Sequence, residues 1–262
     1  MSFDEQELTR RGMMAAAALV SAGVLTWSGG LLVPAGAAEK AQKGKQAAKT
    51  AGNKGKQDDE DEDVSATEDL MREHGVLRRT LIVYAEAART LRTRPESVDP
   101  AALADAADLF RAFGENYHER ILEEEHVFPE VHRAGGPSAT LVDVLLNQHQ
   151  RGREITDYIT NVTKGGRIGS GDAEPLANVL EAMTRMYEAH ATWEDTVIFP
   201  AWKKEQSQER LEELAEEFEE IEHRQFGKDG HEEALKRIAR VEQALGLSDL
   251  DRYTAPAPPK RG

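Results

Sequence analysis

The chain contains no cysteine. That absence excludes disulfides, iron–sulfur clusters, zinc–thiolate sites and thiol nucleophiles, so any metal must be held by nitrogen and oxygen. Aromatic residues are sparse, at 6%, and no segment alternates apolar and polar positions with β-branched residues, so no sheet is expected. Basic charge is short: 33 Lys and Arg stand against 48 Asp and Glu, and a net charge of −15 repels a phosphate backbone, which argues against a nucleic-acid partner. No serine nucleophile, phosphate loop or cofactor fingerprint stands out, and enzymatic activity is left open.

The first segment that is present reads as an address. Thr9-Arg10-Arg11-Gly12-Met13-Met14 sets paired arginines before an apolar run, Ala15 to Val33, interrupted by glycines and Ser28. The small residues Ala35-Gly36-Ala37-Ala38 follow as a cleavage site. Residues 1–38 are therefore expected to be an export signal of the twin-arginine type, which places the protein outside the cytoplasm and limits membrane contact to that segment. Residues 39–64 are a Lys/Gln/Ala/Gly stretch followed by the acidic block Asp58 to Asp63. Such a composition offers little apolar surface to bury and predicts a disordered tether.

From Ser65 the sequence takes on helical period. Ser65-x-x-Glu68 resembles a capping box, and Leu70, His74, Leu77, Leu81, Tyr84, Ala88 and Leu91 follow in steps of three and four. Asp99-Pro100 opens a second helix with the stripe Leu103, Ala106, Phe110, Phe113, Tyr117 and Ile121. After Gly135-Gly136 a third helix carries Leu141, Leu145, His149, Ile155 and Ile159; from Glu174-Pro175 a fourth carries Leu176, Leu180, Met183, Tyr187, His190 and Val197. Short loops between amphipathic helices imply antiparallel neighbours. The expected fold is all-α: an up-down-up-down four-helix bundle over 65–204, accessory helices over 205–250 and a flexible tail over 251–262.

Each of the four helices presents one histidine in its apolar stripe: His74, His118, His149 and His190. His74 and His149 lie early in the first and third helices, and His118 and His190 late in the second and fourth. At ~1.5 Å rise per residue, an antiparallel arrangement brings all four rings within one or two turns of a common layer. An internal repeat strengthens the pattern. Glu123 and Glu194 each stand five residues before a Phe-Pro pair, Phe128-Pro129 and Phe199-Pro200, and about one turn after His118 and His190. His190 and Glu194 are four apart and share a face. His118 and Glu123 are five apart, a spacing that shares a face only if a π-bulge lies between them. Four imidazoles and two carboxylates suffice for two metal ions with open positions left over. His126, His132, His223 and His231 read as bystanders, although His223 would reach the cluster if its helix folds back. Tyr84, Tyr117 and Tyr187 read as core aromatics.

Residues 65 to 202 resemble the hemerythrin/HHE cation-binding family: one histidine on the first helix, His plus Glu on the second, His on the third, His plus Glu on the fourth. The resemblance implies His74, His118, His149 and His190 as terminal ligands, Glu123 and Glu194 as bridging carboxylates, and two iron ions joined by an oxo or hydroxo bridge. Glu119 is similar to an extra carboxylate of iron-sensing relatives. Asp195 is a rival to Glu194, because oxygen carriers use a five-residue His-to-Asp step. Carriers also have a second histidine where this chain has Arg153, so the resemblance implies a more open or sensing centre for a diatomic ligand (oxygen, nitric oxide) or peroxide, rather than simple oxygen carriage. Two alternatives remain at this stage: a ferritin-like protein that oxidises or stores iron, and a metal-free helical adaptor. The former needs Glu-x-x-His on two core helices plus single glutamates on the other two.

Overall fold

A computed structural model describes residues 64–227 and 230–259. The expected export signal and nearly all of the low-complexity tether lie outside the described residues. Among the described residues the chain is all-helical, with six helices and no strand.

Helix α1 spans Ala66–Thr93, and its start is fixed by Ser65, whose hydroxyl accepts from the Glu68 amide at 3.3 Å. Helix α2 begins with Pro100–Leu109, where the Asp99 carboxylate accepts from the Ala101 amide. It runs on without a break as a π-helical stretch, Phe110–Val127, and finishes as Phe128–Ala134. Gly135, at φ 75°, turns the chain directly into α3, Gly136–Thr163. Helix α4 is likewise composite: Ala173–Trp193, a π turn Glu194–Ile198, then Phe199–Lys204. Helices α5, Gln208–Phe226, and α6, Gly230–Ala244, follow.

The π segments have a sequence cause. In both, the Phe amide before proline bonds five residues back, Phe128 to the Glu123 carbonyl and Phe199 to the Glu194 carbonyl. Pro129 and Pro200 have no amide hydrogen, and their rings crowd the carbonyl four residues back, so a widened turn relieves that clash. The wider turn also shifts the helix phase. Val197 was expected in the apolar stripe, but it is only half-buried and Ile198 takes the core position. Ile121 is likewise displaced by Leu122.

Helix α1 packs most extensively on α4, and α2 on α3, while α3 and α4 close against each other. Helices α5 and α6 lie on α1 and α2. The expected stripe of α5 is the buried one: Leu211, Leu214, Phe218 and Ile221. Phe218 stacks on Trp202 with ring centroids 6.0 Å apart and planes 3° from parallel, and both side chains are fully buried. This ties the C-terminal helices to the end of α4. Among the described residues, no helix is long and apolar enough to cross a membrane.

Phe218→Ala is expected to lower stability by about 3–5 kcal/mol through lost burial and a residual cavity. Urea unfolding should still show one cooperative transition. A variant that unfolds in two steps, or loses nothing, would show that α5 is not part of the same core.

Candidate metal centre

The four expected histidines arrive from four helices and are all essentially buried: His74 from α1, His118 from α2, His149 from α3 and His190 from α4. Ring centroids of His74 and His118 lie 4.7 Å apart, and those of His149 and His190 4.8 Å apart. Glu123 and Glu194 stand between these two pairs, both fully buried. Glu123 sets Oε1 3.3 Å from His118 Nε2 and Oε2 3.2 Å from His149 Nε2. Glu194 sets Oε1 3.0 Å from His190 Nε2 and Oε2 3.4 Å from His74 Nε2. Each carboxylate therefore presents one oxygen to each histidine pair. The five-residue step between His118 and Glu123 closes on one face because α2 is π-helical there.

Each histidine turns Nε2 inward and uses Nδ1 to donate outward. His74 bonds Asp195 at 2.7 Å, His118 bonds Glu73 at 2.5 Å, His149 bonds Glu124 at 2.9 Å, and His190 bonds Gln148 at 2.9 Å. Such partners fix the tautomer and orientation of a ring whose other nitrogen coordinates a metal. Glu73, Glu124 and Gln148 escaped the sequence reading. The signal for them was adjacency: each is the chain neighbour of a candidate ligand but serves a histidine on another helix. Asp195 belongs to this outer group, paired with Arg78 as well as His74, and is not among the inward-facing carboxylates. Glu119 lies beside the centre, with Tyr187 and Arg153 on its two oxygens.

Burial alone would push the histidines toward the neutral form. His118 is nonetheless held well above its usual range by Glu123 and Glu73, and His149 is pushed up to about 10 by Glu119, Glu123 and Glu124. Burial opposes ionisation of Glu123 too, but His118 and His149 hold it well below the ordinary carboxylate range. Without a metal, His118 and His149 are thus held toward the protonated form and Glu123 toward the ionised form, and a metal would have to displace protons from those two rings.

These residues fit a cation. Both oxygens of Glu123, both of Glu194 and Nε2 of His118 are buried without any hydrogen-bond partner. Leaving such atoms bare costs several kcal/mol, a cost removed by coordination. Two groups of side chains place ligand atoms within 4.8 Å of one another, Glu123/His149/His190/Glu194 and His74/His118/Glu123, with Glu123 common to both. A third group of that kind, Glu119/Glu124/His149, is already bridged by the Arg153 guanidinium. Imidazole and carboxylate together suit first-row divalent metals.

A small chamber of about 10 Å³ adjoins the cluster, walled by His74, His118, His190, Glu119 and Tyr187 and by Leu77, Leu81, Arg78 and Ala191. That is room for about one water-sized molecule. The bystander histidines stay outside. His126 packs edge-on to Phe218, His132 is exposed, His223 is exposed and faces Glu219, and His231 lies near Phe113. The Glu123/His126 and Glu220/His223 steps that a ferritin-like site would need therefore contribute no second ligand.

Fold and site define a helical protein with a buried histidine–carboxylate cation site. The family model for the hemerythrin HHE cation binding domain matches residues 65–201 and, overlapping, 140–254, and the chain belongs to that family. It is also 42% identical over 192 residues to proteins of Mycobacterium bovis and Mycobacterium tuberculosis described as uncharacterized, covering 73% of this chain and 74% of each relative. No solved structure matches.

Close to the centre, on the α2 face toward α3, Glu115 is fully buried. Arg111 Nε is 2.9 Å away, but neither carboxylate oxygen has a hydrogen-bond donor. Burial, helped by the charge of Glu119, pushes its carboxyl up to about 7, against the pull of Thr156, Arg111 and Arg153. A carboxyl raised on folding contributes stability that is complete below its unfolded value of 4.5 and lost as pH rises through about 7. In urea unfolding of the metal-free protein, the wild type is expected to lose roughly 3 kcal/mol relative to Glu115→Gln across that window. A wild-type-to-variant difference that does not change with pH would contradict this.

Proposed function

We propose that this protein holds two iron ions in the core of an up-down-up-down bundle formed by α1 to α4. His74 and His118 would hold one ion and His149 and His190 the other, with Glu123 and Glu194 each offering one oxygen to either side. One observation carries the reading: each buried carboxylate aligns its two oxygens with two different histidine pairs. A single ion needs no such division.

When bound, the iron pair supplies reversible binding or redox activation of a small oxygen or nitrogen-oxide ligand. The chain supplies the rest. The Nδ1 bonds to Asp195, Glu73, Glu124 and Gln148 hold the rings in place. Leu77, Leu81 and Ala191 exclude bulk water from the chamber. The chamber's small size favours a ligand such as dioxygen, peroxide or nitric oxide. Sensing or handling such a ligand suits this chamber better than a reaction on a larger substrate. A location outside the cytoplasm follows from the Arg10-Arg11 segment, and replacing both arginines with lysine should leave the protein in the cytoplasm on cell fractionation. Unchanged export would remove that part of the reading.

Protein loaded with iron should contain two ions per chain and an absorption band that changes on adding azide. His118→Ala and Glu123→Ala should lose iron. Each should also lower the melting temperature of the loaded protein by several degrees, because metal binding free energy adds to folding free energy. One zinc per chain, or a spectrum indifferent to azide, would refute the di-iron assignment. Equal melting temperatures with and without metal would favour the metal-free adaptor.

A further inference from the structure

Glu119 is a carboxylate in the chamber wall, buried to 1% exposure, and both of its oxygens are engaged by donors from other helices. Tyr187, on α4, donates its hydroxyl to Oε1 at 2.7 Å. Arg153, on α3, donates to Oε2 at 3.2 Å and at the same time to Glu124 at 2.5 Å. The phenol reaches this point only because residue 152 is glycine. A Cβ there would stand 1.9 Å from the Tyr187 hydroxyl oxygen and 2.8 Å from the ring carbon that bears it. Gly152 has no positive φ, so clearance rather than backbone freedom accounts for the residue. Phe110 meets the Tyr187 ring edge-on at 4.9 Å, which fixes the ring from the side of α2.

A buried carboxylate stripped of its donors turns to the nearest cation, since a bare charge in the core is costly. With the phenol gone and Arg153 still on Oε2, the bare Oε1 faces the chamber beside His118, where the metal pair would be a cation within reach. We propose that Glu119 is a carboxylate held in reserve, clamped in the chamber wall by the Tyr187 phenol and the Arg153 guanidinium, so that the chamber stays free for a small external ligand. Gly152 and Arg153 are then positioning residues, and Tyr187, which also walls the chamber, acts with them to set whether Glu119 competes for the open position. The proposal rests on the di-metal reading and adds to it a determinant of ligand access. It also gives Arg153 a task. A fixed cation at this point restrains a carboxylate.

The test uses the full iron-loaded chain, with azide as the probe ligand. Affinity is read from the azide-dependent absorption band, and iron is counted in every variant. Tyr187→Phe is expected to retain its iron and to weaken azide binding by about tenfold, the loss of one hydrogen bond to a charged group. Gly152→Ala should behave the same way by displacing the phenol. The double variant Tyr187→Phe/Glu119→Ala should recover wild-type affinity or exceed it, because the competing carboxylate is gone. A merely structural role for Tyr187 predicts no recovery. Normal iron with no loss in Tyr187→Phe, or a loss that Glu119→Ala does not reverse, would overturn the clamp alone. A wild type that binds no iron would overturn the metal reading and the clamp together. Tyr187→Phe adds no bulk, so the result stands even where Gly152→Ala fails to fold.

Discussion

Four carboxylate oxygens, those of Glu123 and Glu194, sit in the middle of the protein with no donor bonded to them, and the arrangement around the cluster answers that cost. The four imidazoles set their Nε2 atoms against these oxygens, and their Nδ1 atoms are fixed by acceptors from elsewhere. The supply of acceptors is cyclic. Helix α4 gives Asp195 to the ring on α1, α1 gives Glu73 to the ring on α2, α2 gives Glu124 to the ring on α3, and α3 gives Gln148 to the ring on α4. Each helix thus contributes one ring to the centre and one oxygen to the next helix's ring. Displacing any one of α1 to α4 would disturb two of the four rings, so the polar centre reports on the register of all four at once.

That register depends on two prolines. Pro129 and Pro200 sit one residue beyond the points where the Phe128 and Phe199 amides reach back to the carbonyls of Glu123 and Glu194. The same residue therefore supplies a backbone acceptor to the widened turn and a side-chain oxygen to the centre. In α2 the π stretch is long enough to bring His118 and Glu123 onto one face despite five-residue spacing. In α4 the π turn begins only at Glu194, so the four-residue step from His190 stays α-helical and only the downstream residues shift. The two halves of the repeat reach the same geometry by different spacings, with the Phe-Pro pair as their common element.

Much of this was legible in the sequence because burial imposes a period. The stripes that contain His74, His118, His149 and His190 are visible as steps of three and four, and the structure brings all four rings together. The first four helices begin where Ser65, Asp99, the Gly135-Gly136 break and Glu174-Pro175 indicate, within a residue or two. What was hidden has identifiable causes. A π turn changes the phase without changing composition, so Val197 looked buried and Ile198 did not. Outer partners such as Glu73 and Gln148 are acidic or amide residues among many in a chain of high charge, and adjacency to a candidate ligand does not say that each faces a histidine 45 or 42 positions away. Asp195 and Glu194 are adjacent and chemically alike. Their division into an outer and an inner carboxylate is settled by helix rotation, which the sequence states only through the proline five residues downstream of Asp195.

Charge balance shows what Arg153 changes. Six carboxylates approach the four histidines: Glu123 and Glu194 inside, and Glu73, Glu119, Glu124 and Asp195 around them. Neutral imidazoles alone would leave that set strongly negative, and protonated imidazoles would offset part of it at the expense of the metal-binding form. Arg153 bridges Glu119 and Glu124, and Arg78 pairs with Asp195, so two fixed cations offset charge on three of the four outer carboxylates without touching Glu123 or Glu194. The negative charge left uncompensated is then concentrated on the inner pair and on Glu73, which lies behind a single ring. Arg153 therefore does more than bridge two side chains. It moves positive charge to the periphery, and it leaves the central oxygens as the part of the core in which a multivalent cation is electrostatically most favoured.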